Sequence, residues 1–214
     1  MVVLVNDSRM TDESSPPSPP AGPSAPADEP YARGTTFAAS RIAVLKVWGE
    51  KGLDEIGGLV SVEVRRATVD GIVFASDWLP ERYMVAWFEA AWLGPARQQQ
   101  VQMRRFVDER INYGFGRLRR LLLKASSPAS IVKAAPDLWR HDHSTGHLSG
   151  KVTGSAIEMR LRDHPYTTTP ASQLAVAEIY RYILSRVRGA KNVSETHRLE
   201  PDGTLVVSLL WERG

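Results

Sequence analysis

The sequence predicts an α+β domain, with a helical N-terminal half packed on a small, mainly antiparallel C-terminal sheet that carries one long helix. Three observations predict it. Apolar residues recur at helical spacing from Ile42 to Trp139, the period shifts towards two between Val152 and Leu161, and Glu200-Pro201-Asp202-Gly203 divides two short apolar runs near the end. Helices followed by strands, and not a strict alternation of the two, make a mixed layer design.

Residues 1–35 read as a Pro/Ser-rich acidic leader and residues 36–214 as a single globular domain. Ser14 to Pro30 has no apolar periodicity, and its prolines fix φ and remove backbone donors, so it cannot offset the entropy of ordering. A docking motif for a proline-reading module, built on Pro16, Pro17, Pro19 and Pro20, is the alternative. Met10 is an alternative start.

Past Thr36, Ile42, Leu45, Val47 and Trp48 predict a short buried helix ending near Gly49 and Gly52, and Leu53, Ile56, Leu59 and Val60 continue in helical spacing. Asp70-Gly71 is a turn signal. Asp77 is expected to cap the next helix, with Pro80 in its first turn and Tyr83, Val85, Trp87, Phe88, Ala91 and Trp92 along it, up to Gly94-Pro95. The longest periodic segment spans residues 96–124, with Gly114 and Gly116 marking a kink. Ser127-Pro128 opens a helix to Trp139. Val152 to Leu161 predicts one half-buried strand, Thr169-Pro170 starts a strong helix through Val187, and Val193–Leu199 with Thr204–Trp211 form a hairpin.

Composition excludes several chemistries. With no cysteine there is no disulfide framework, thiol catalysis, iron–sulfur ligation or cysteine-based zinc motif. No run approaches the ~20 apolar residues of a membrane-spanning helix, and Met1–Val5 lacks a preceding basic residue, so a cytoplasmic location is expected. The net charge is +3, and the first 35 residues are themselves acidic, so the positive excess lies in the domain. That balance permits an anionic partner without demanding one.

No catalytic, cofactor-binding or metal-binding residue is assigned from motifs. There is no Gly-x-Ser-x-Gly elbow, no phosphate loop and no dinucleotide fingerprint. His141, His143 and His147 form a metal-like loop cluster whose alternative is an ordinary polar turn. His164 and His197 read as surface or core-edge residues. Arg97, Arg104, Arg105, Arg110, Arg117, Arg119, Arg120 and Lys124 make the 97–124 segment Arg-rich, which a nucleic-acid-binding regulator would use. Their spread around the helix, with Asp108 and Glu109 among them, favours a solvated face.

Taken in order, Glu63-Val64-Arg65, Asp77-Trp78-Leu79-Pro80, Tyr83, Gly114-Phe115, Ser127-Pro128, Pro136-Asp137-Leu138-Trp139, Gly146, the late amphipathic helix and a hairpin ending at Trp211 resemble a paralogous myxobacterial domain-of-unknown-function family over residues 36–214. That family is similar in architecture to haem nitric-oxide-binding, four-vinyl-reductase-like and transport-particle ligand-binding domains. The resemblance implies a pocket between helices and sheet for a small or apolar ligand, and a non-enzymatic ligand-sensing or protein-interaction role in bacterial signalling. It does not carry haem over. The haem-binding members have a Tyr-x-Ser-x-Arg motif, whereas this chain reads Tyr182-Ile183-Leu184-Ser185-Arg186, with Ser one position late.

Overall fold

The computed structural model describes residues 29–114 and 126–213. Its elements run β1 (Tyr31–Arg33), α1 (Gly34–Leu59), α2 (Val62–Arg65) continued by a π-helical turn (Arg66–Asp70), β2 (Trp78–Pro80), α3 (Glu81–Leu93) and α4 (Gln100–Gly114). After the undescribed stretch come α5 (Pro128–Asp142), β3 (His147–Thr153), β4 (Ala156–Arg162), α6 (Pro170–Ser185), β5 (Ala190–Leu199) and β6 (Leu205–Arg213). This is the expected α+β design. Among the described residues no helix is long and apolar enough to cross a membrane.

The sheet is four-stranded and antiparallel throughout, in the order β3-β4-β6-β5. Its inner face is made by cross-strand pairs, Ile157 opposite Leu209, Met159 opposite Val207 and Leu161 opposite Leu205, all buried. The expected hairpin is β5–β6. The single strand expected over Val152–Leu161 is instead the last two residues of β3, a turn, and β4 as far as Leu161. Gly154 stands at φ 62° and reverses the chain there, a position where a residue without Cβ carries no steric penalty.

In the helical layer, Trp87 is fully buried on α3, and its indole N–H donates to Thr68 Oγ1 at 2.6 Å. Thr68 Oγ1 donates in turn to the Val64 carbonyl at 2.6 Å, so α3 is fixed to the π-helical turn through a satisfied polar chain. Trp48 of α1 stacks on Phe106 of α4 with ring centroids 5.4 Å apart. Between α4, α6 and β5, the fully buried carboxylate of Glu178 accepts from Arg104 at 3.0 Å and Arg181 at 2.5 Å. Arg104 also pairs with Glu195 at 2.8 Å.

Several boundaries differ from expectation. Tyr31–Arg33 pairs antiparallel with Trp78–Pro80, so part of the segment read as leader belongs to the fold; residues 1–28 lie outside the described residues. Asp77 does not cap a helix. Its carboxylate accepts the Phe74 N–H at 2.8 Å and its carbonyl accepts the Gly34 N–H at 2.8 Å, because strand pairing takes the next three residues and α3 begins only at Glu81. The first helix starts at Gly34 and runs on past Gly49, which breaks it locally at φ 72°, ψ −170°, where the glycine was expected to end it. In the 96–124 segment the described helix is Gln100–Gly114; Phe115 to Lys124, with the predicted kink at Gly116, lie outside the described residues.

Trp78 and Trp139 are half-buried, whereas Trp87 is fully buried in the core. Trp87→Ala is expected to cost ~3–5 kcal/mol in denaturant unfolding. A loss under about 1 kcal/mol, typical of a surface change, would refute the packing of α3 described above.

Candidate functional site

The site is built around a carboxylate. Pro80 ends β2 and Glu81 opens α3, so the Glu81 side chain enters the interior at a helix N-terminus, where the macrodipole favours negative charge. It is fully buried. The last residue before the turn after α5 is His143, held by a bridge between Ala32 and His143 and stacked on Trp139 with centroids 4.0 Å apart. Its Nδ1 donates to Glu81 Oε1 in a short hydrogen bond, the donor being the imidazole because the ionised carboxylate can only accept. His164, just after β4, places Nε2 at 3.3 Å from the same oxygen. The backbone N–H of Tyr166 donates to His164 Nδ1 at 3.2 Å, which puts the ring proton of neutral His164 on Nε2, facing the carboxylate.

Trp139, His143, His164 and Tyr166 close around this carboxylate as an aromatic box, with Trp139 edge-on to His164 at 4.7 Å and His164 edge-on to Tyr166 at 4.6 Å. Gly146 makes the closure possible. It sits at φ 91°, and a Cβ there would stand 2.9 Å from both the Trp139 indole nitrogen and His164 Cδ2. Trp139 Nε1 donates to the Thr145 carbonyl at 2.9 Å and fixes the same loop.

Burial would raise the Glu81 pKa, but the charge and hydrogen bond of His143, with a smaller contribution from His164, outweigh it and pull the value down to about 2. Burial pushes the His164 pKa down, opposed by Glu81. The Tyr166 hydroxyl is raised well above its ordinary range by burial first and then by the Glu81 charge. Glu81 Oε2, His164 Nε2 and the Tyr166 hydroxyl have no hydrogen-bond partner of good geometry among the described residues, so His164 meets Glu81 Oε1 as a close electrostatic contact.

Beside the box, α1, α4, α5, α6 and the inner face of the sheet enclose a cavity of about 440 Å³, within the usual range for small-molecule sites. Its walls are mainly apolar, from Ile111, Val132, Ile157, Met159, Val176 and Ile183. Trp139, His143 and Tyr166 are shared with the box, and Arg110 and Tyr180 also line it. Among the described residues the cavity meets the surface beside Thr35, Leu138 and His141, which are exposed.

The loop cluster His141, His143 and His147 is not assembled. His141 is exposed and bonds Asp142 at 2.7 Å, and His147 lies 4.0 Å from Asp163 on the outer strand. Only His143 turns inward, because strand bridging and Trp139 stacking direct it to Glu81. His164, expected at the surface or core edge, is buried at the centre of the box. Three donor atoms from Glu81, His143 and His164 lie within 4.8 Å of one another, the spacing of a metal site. Two features disfavour an ion there. His164 Nε2 carries its proton, and the Glu81–His143 contact is a hydrogen bond, closer than the roughly 3.3 Å separating ligands held at ~2.0 Å around one ion.

The expected solvated arginine face holds for Arg97 and Arg105, which are exposed, but not for Arg104 and Arg110. Arg97 pairs with Glu55, Arg104 with Glu178 and Glu195, and Arg110 is buried; Arg117, Arg119, Arg120 and Lys124 lie outside the described residues. Tyr182, Ser185 and Arg186 do not face the cavity. The Tyr182 hydroxyl donates to Asn112, Ser185 Oγ donates to the Tyr182 carbonyl at 2.7 Å, and exposed Arg186 lies over the Tyr182 ring at 4.6 Å, none of them on the cavity wall.

The box has a pH signature. Folding lowers the pKa of both His164 and Glu81, so the unfolded chain binds more protons and stability falls as pH drops. The loss begins below 6.5 through His164, and the Glu81 share, complete above 4.5, disappears towards pH 2. The Glu81 shift corresponds to about 3 kcal/mol. Glu81→Ala should cost ~3–5 kcal/mol at neutral pH by leaving the histidines unpaired, and melting of this variant should lose the wild-type pH dependence below 4.5. Identical acid profiles for variant and wild type would overturn the assignment.

No protein-family model matches the sequence, and no curated protein matches it either. Solved structures do match the fold. An H-NOX protein of S. oneidensis in the Fe(II) ligation state aligns with a TM-score of 0.61 at 14% identity, covering 85% of this chain and 96% of that one. The Fe(II) unliganded H-NOX protein of K. algicida gives 0.58 at 11% identity, with 85% and 97% covered. An oxygen-binding H-NOX domain related to soluble guanylate cyclases gives 0.56 at 13% identity, with 84% and 94% covered. The chain thus has the H-NOX-like fold over nearly all of its described length.

Proposed function

We propose that this protein is a non-enzymatic ligand-binding domain, a sensor module of bacterial signalling acting in the cytoplasm, whose cavity between the helices and the sheet takes a small, largely apolar molecule. The cavity of about 440 Å³ carries the reading, because an apolar space of that size costs packing energy unless something occupies it. The H-NOX-like fold and the motif order resembling the myxobacterial family support it. A protein-interaction role for the same domain is the reading that a filled core with an exposed apolar patch would favour, and the cavity weighs against it. The helix α6 lines the cavity through Val176, Ile179, Tyr180, Ile183 and Leu184, as a ligand site between helices and sheet requires.

Ala135 projects from α5 into the cavity wall. Ala135→Phe is expected to abolish binding of an apolar fluorescent dye while leaving the melting temperature equal or higher. Undiminished dye binding by a folded Ala135→Phe protein would sink the reading.

One observation favours a second reading, haem. A metal-ligating histidine characteristically donates its other ring N–H to a carboxylate, and His143 does so to Glu81. His143 lines the cavity, and its Nε2 has no hydrogen-bond partner among the described residues. A bound haem would supply an iron centre for His143 Nε2 to hold, while Arg33 and Arg110 are the cations of the wall. The absent Tyr-x-Ser-x-Arg motif leads us to expect no haem. Adding haemin to the purified protein should give no new Soret band; a band that appears and is lost in His143→Ala establishes the second reading in its place.

A further inference from the structure

We propose that the cavity is selective for molecules bearing a single anionic head group, a carboxylate, on an apolar body, and that Arg110 receives that group. The proposal rests on the reading of the cavity as a ligand pocket and adds the chemistry of its occupant.

Arg110 lies near the end of α4 with 6% of its surface exposed. Its Nε donates to Ser40 Oγ at 3.0 Å, and Ser40 Oγ donates to the Thr36 carbonyl at 2.9 Å. This anchors the guanidinium and leaves the two Nη groups. Among the described residues no carboxylate comes within ion-pair distance, 4.0 Å, of Arg110. The guanidinium also meets the face of Phe88, 5.4 Å from Cζ.

Arg181, buried to a similar degree at 8%, shows how the fold treats an internal guanidinium that serves packing alone. It is paired with both Glu178 and Asp108. A buried cation without such a partner is costly, and guanidinium does not escape by losing its proton. Glu81 and Asp142 act on Arg110 only from a distance.

Three further polar groups are without a hydrogen bond in the same wall, Arg33 Nε among them. The hydroxyls of Tyr166 and Tyr180, in residues 1% and 9% exposed, are buried and make no hydrogen bond among the described residues. The Tyr166 hydroxyl, close enough to interact electrostatically with Arg110, can donate, and together with the guanidinium fork it matches the lone pairs of one planar carboxylate. The wall around them is mainly aliphatic. Arg110 is the fully buried cation of the wall and balances one negative charge, whereas Arg33 is half-buried and lies over the Trp78 ring; a dianion beside Arg110 would also face Glu81 and Asp142. A monoanionic amphiphile therefore suits this set better than a phosphate.

Titration calorimetry with decanoate and with decanol tests this on the full chain, since the two share an alkyl body and differ in the head group. Decanoate should bind about ten-fold or more tightly than decanol to the wild type. Arg110→Met should bind the two equally, with a melting temperature no lower than wild type, because the substitution removes an unpaired buried charge. If wild type binds decanol as tightly as decanoate, head-group selection is refuted while the pocket stands. Binding of neither refutes the pocket itself. A folded Arg110→Met that keeps the preference overturns the role of Arg110. Should that variant not fold, Arg110→Lys, which keeps the charge and loses the fork, must weaken decanoate and not decanol; an unchanged ratio also overturns the role.

Discussion

The Glu81 carboxylate is the constraint on which the rest of the site depends. Three segments distant in sequence end at it: the first turn of α3, the end of α5 and the loop after β4. A buried charge must be met by partners wherever the chain can supply them, so the pairing fixes how the helical layer meets the sheet along one side. The Trp139 stacking, the approach of the Gly146 loop and the short strand pair β1–β2 all serve to bring His143 and His164 to that one oxygen. The opposite consequence is that helices and sheet are not pulled together on the cavity side, where mainly apolar walls face each other.

The two internal polar groupings of the domain are handled differently. Around Glu178, two arginines and Gln100 surround one carboxylate, and the network is locally satisfied. Around the cavity, Arg110, Tyr166 and Tyr180 keep donor capacity unused. A fold under selection for stability alone would remove that capacity, since an apolar side chain of similar volume is often neutral or better. Retained polar capacity beside an apolar space is the pattern of a binding site, in which orientation comes from a few polar groups and affinity from burial.

Much of the architecture is legible in the sequence, and the site only partly so. Helical spacing in Tyr83, Trp87 and Phe88 and the Glu200–Gly203 turn report their elements directly, because periodicity encodes which face is buried. The β3–β4 hairpin reads as one strand because Val152 lies so near the alternating Ile157, Met159 and Leu161; the inward positions in fact switch from even to odd numbers across the Gly154 turn, a phase change of one residue in so short a run. Asp77 has the composition of a helix cap, yet strand pairing with Tyr31–Arg33, a contact distant in sequence, takes the following residues instead. Glu81 is invisible for a similar reason. A single Glu at a helix start has the signature of a solvated first-turn residue, and nothing local says that two histidines more than sixty positions away will bury it. The motifs around Asp77–Pro80 and Trp139–Gly146 are recognisable, but their purpose, delivering Glu81 and His143 to one point, is a property of the tertiary structure.

Gly146 has a consequence for how this chain can change over time. Any side chain at that position collides with Trp139 and His164 at once, and the left-handed backbone penalises it independently. The position is therefore closed to single-step substitution as long as the aromatic box persists. A lineage that gave up the box would release Gly146, Trp139 and His164 together, so these three should be inherited or lost as one character, whatever happens to the cavity beside them.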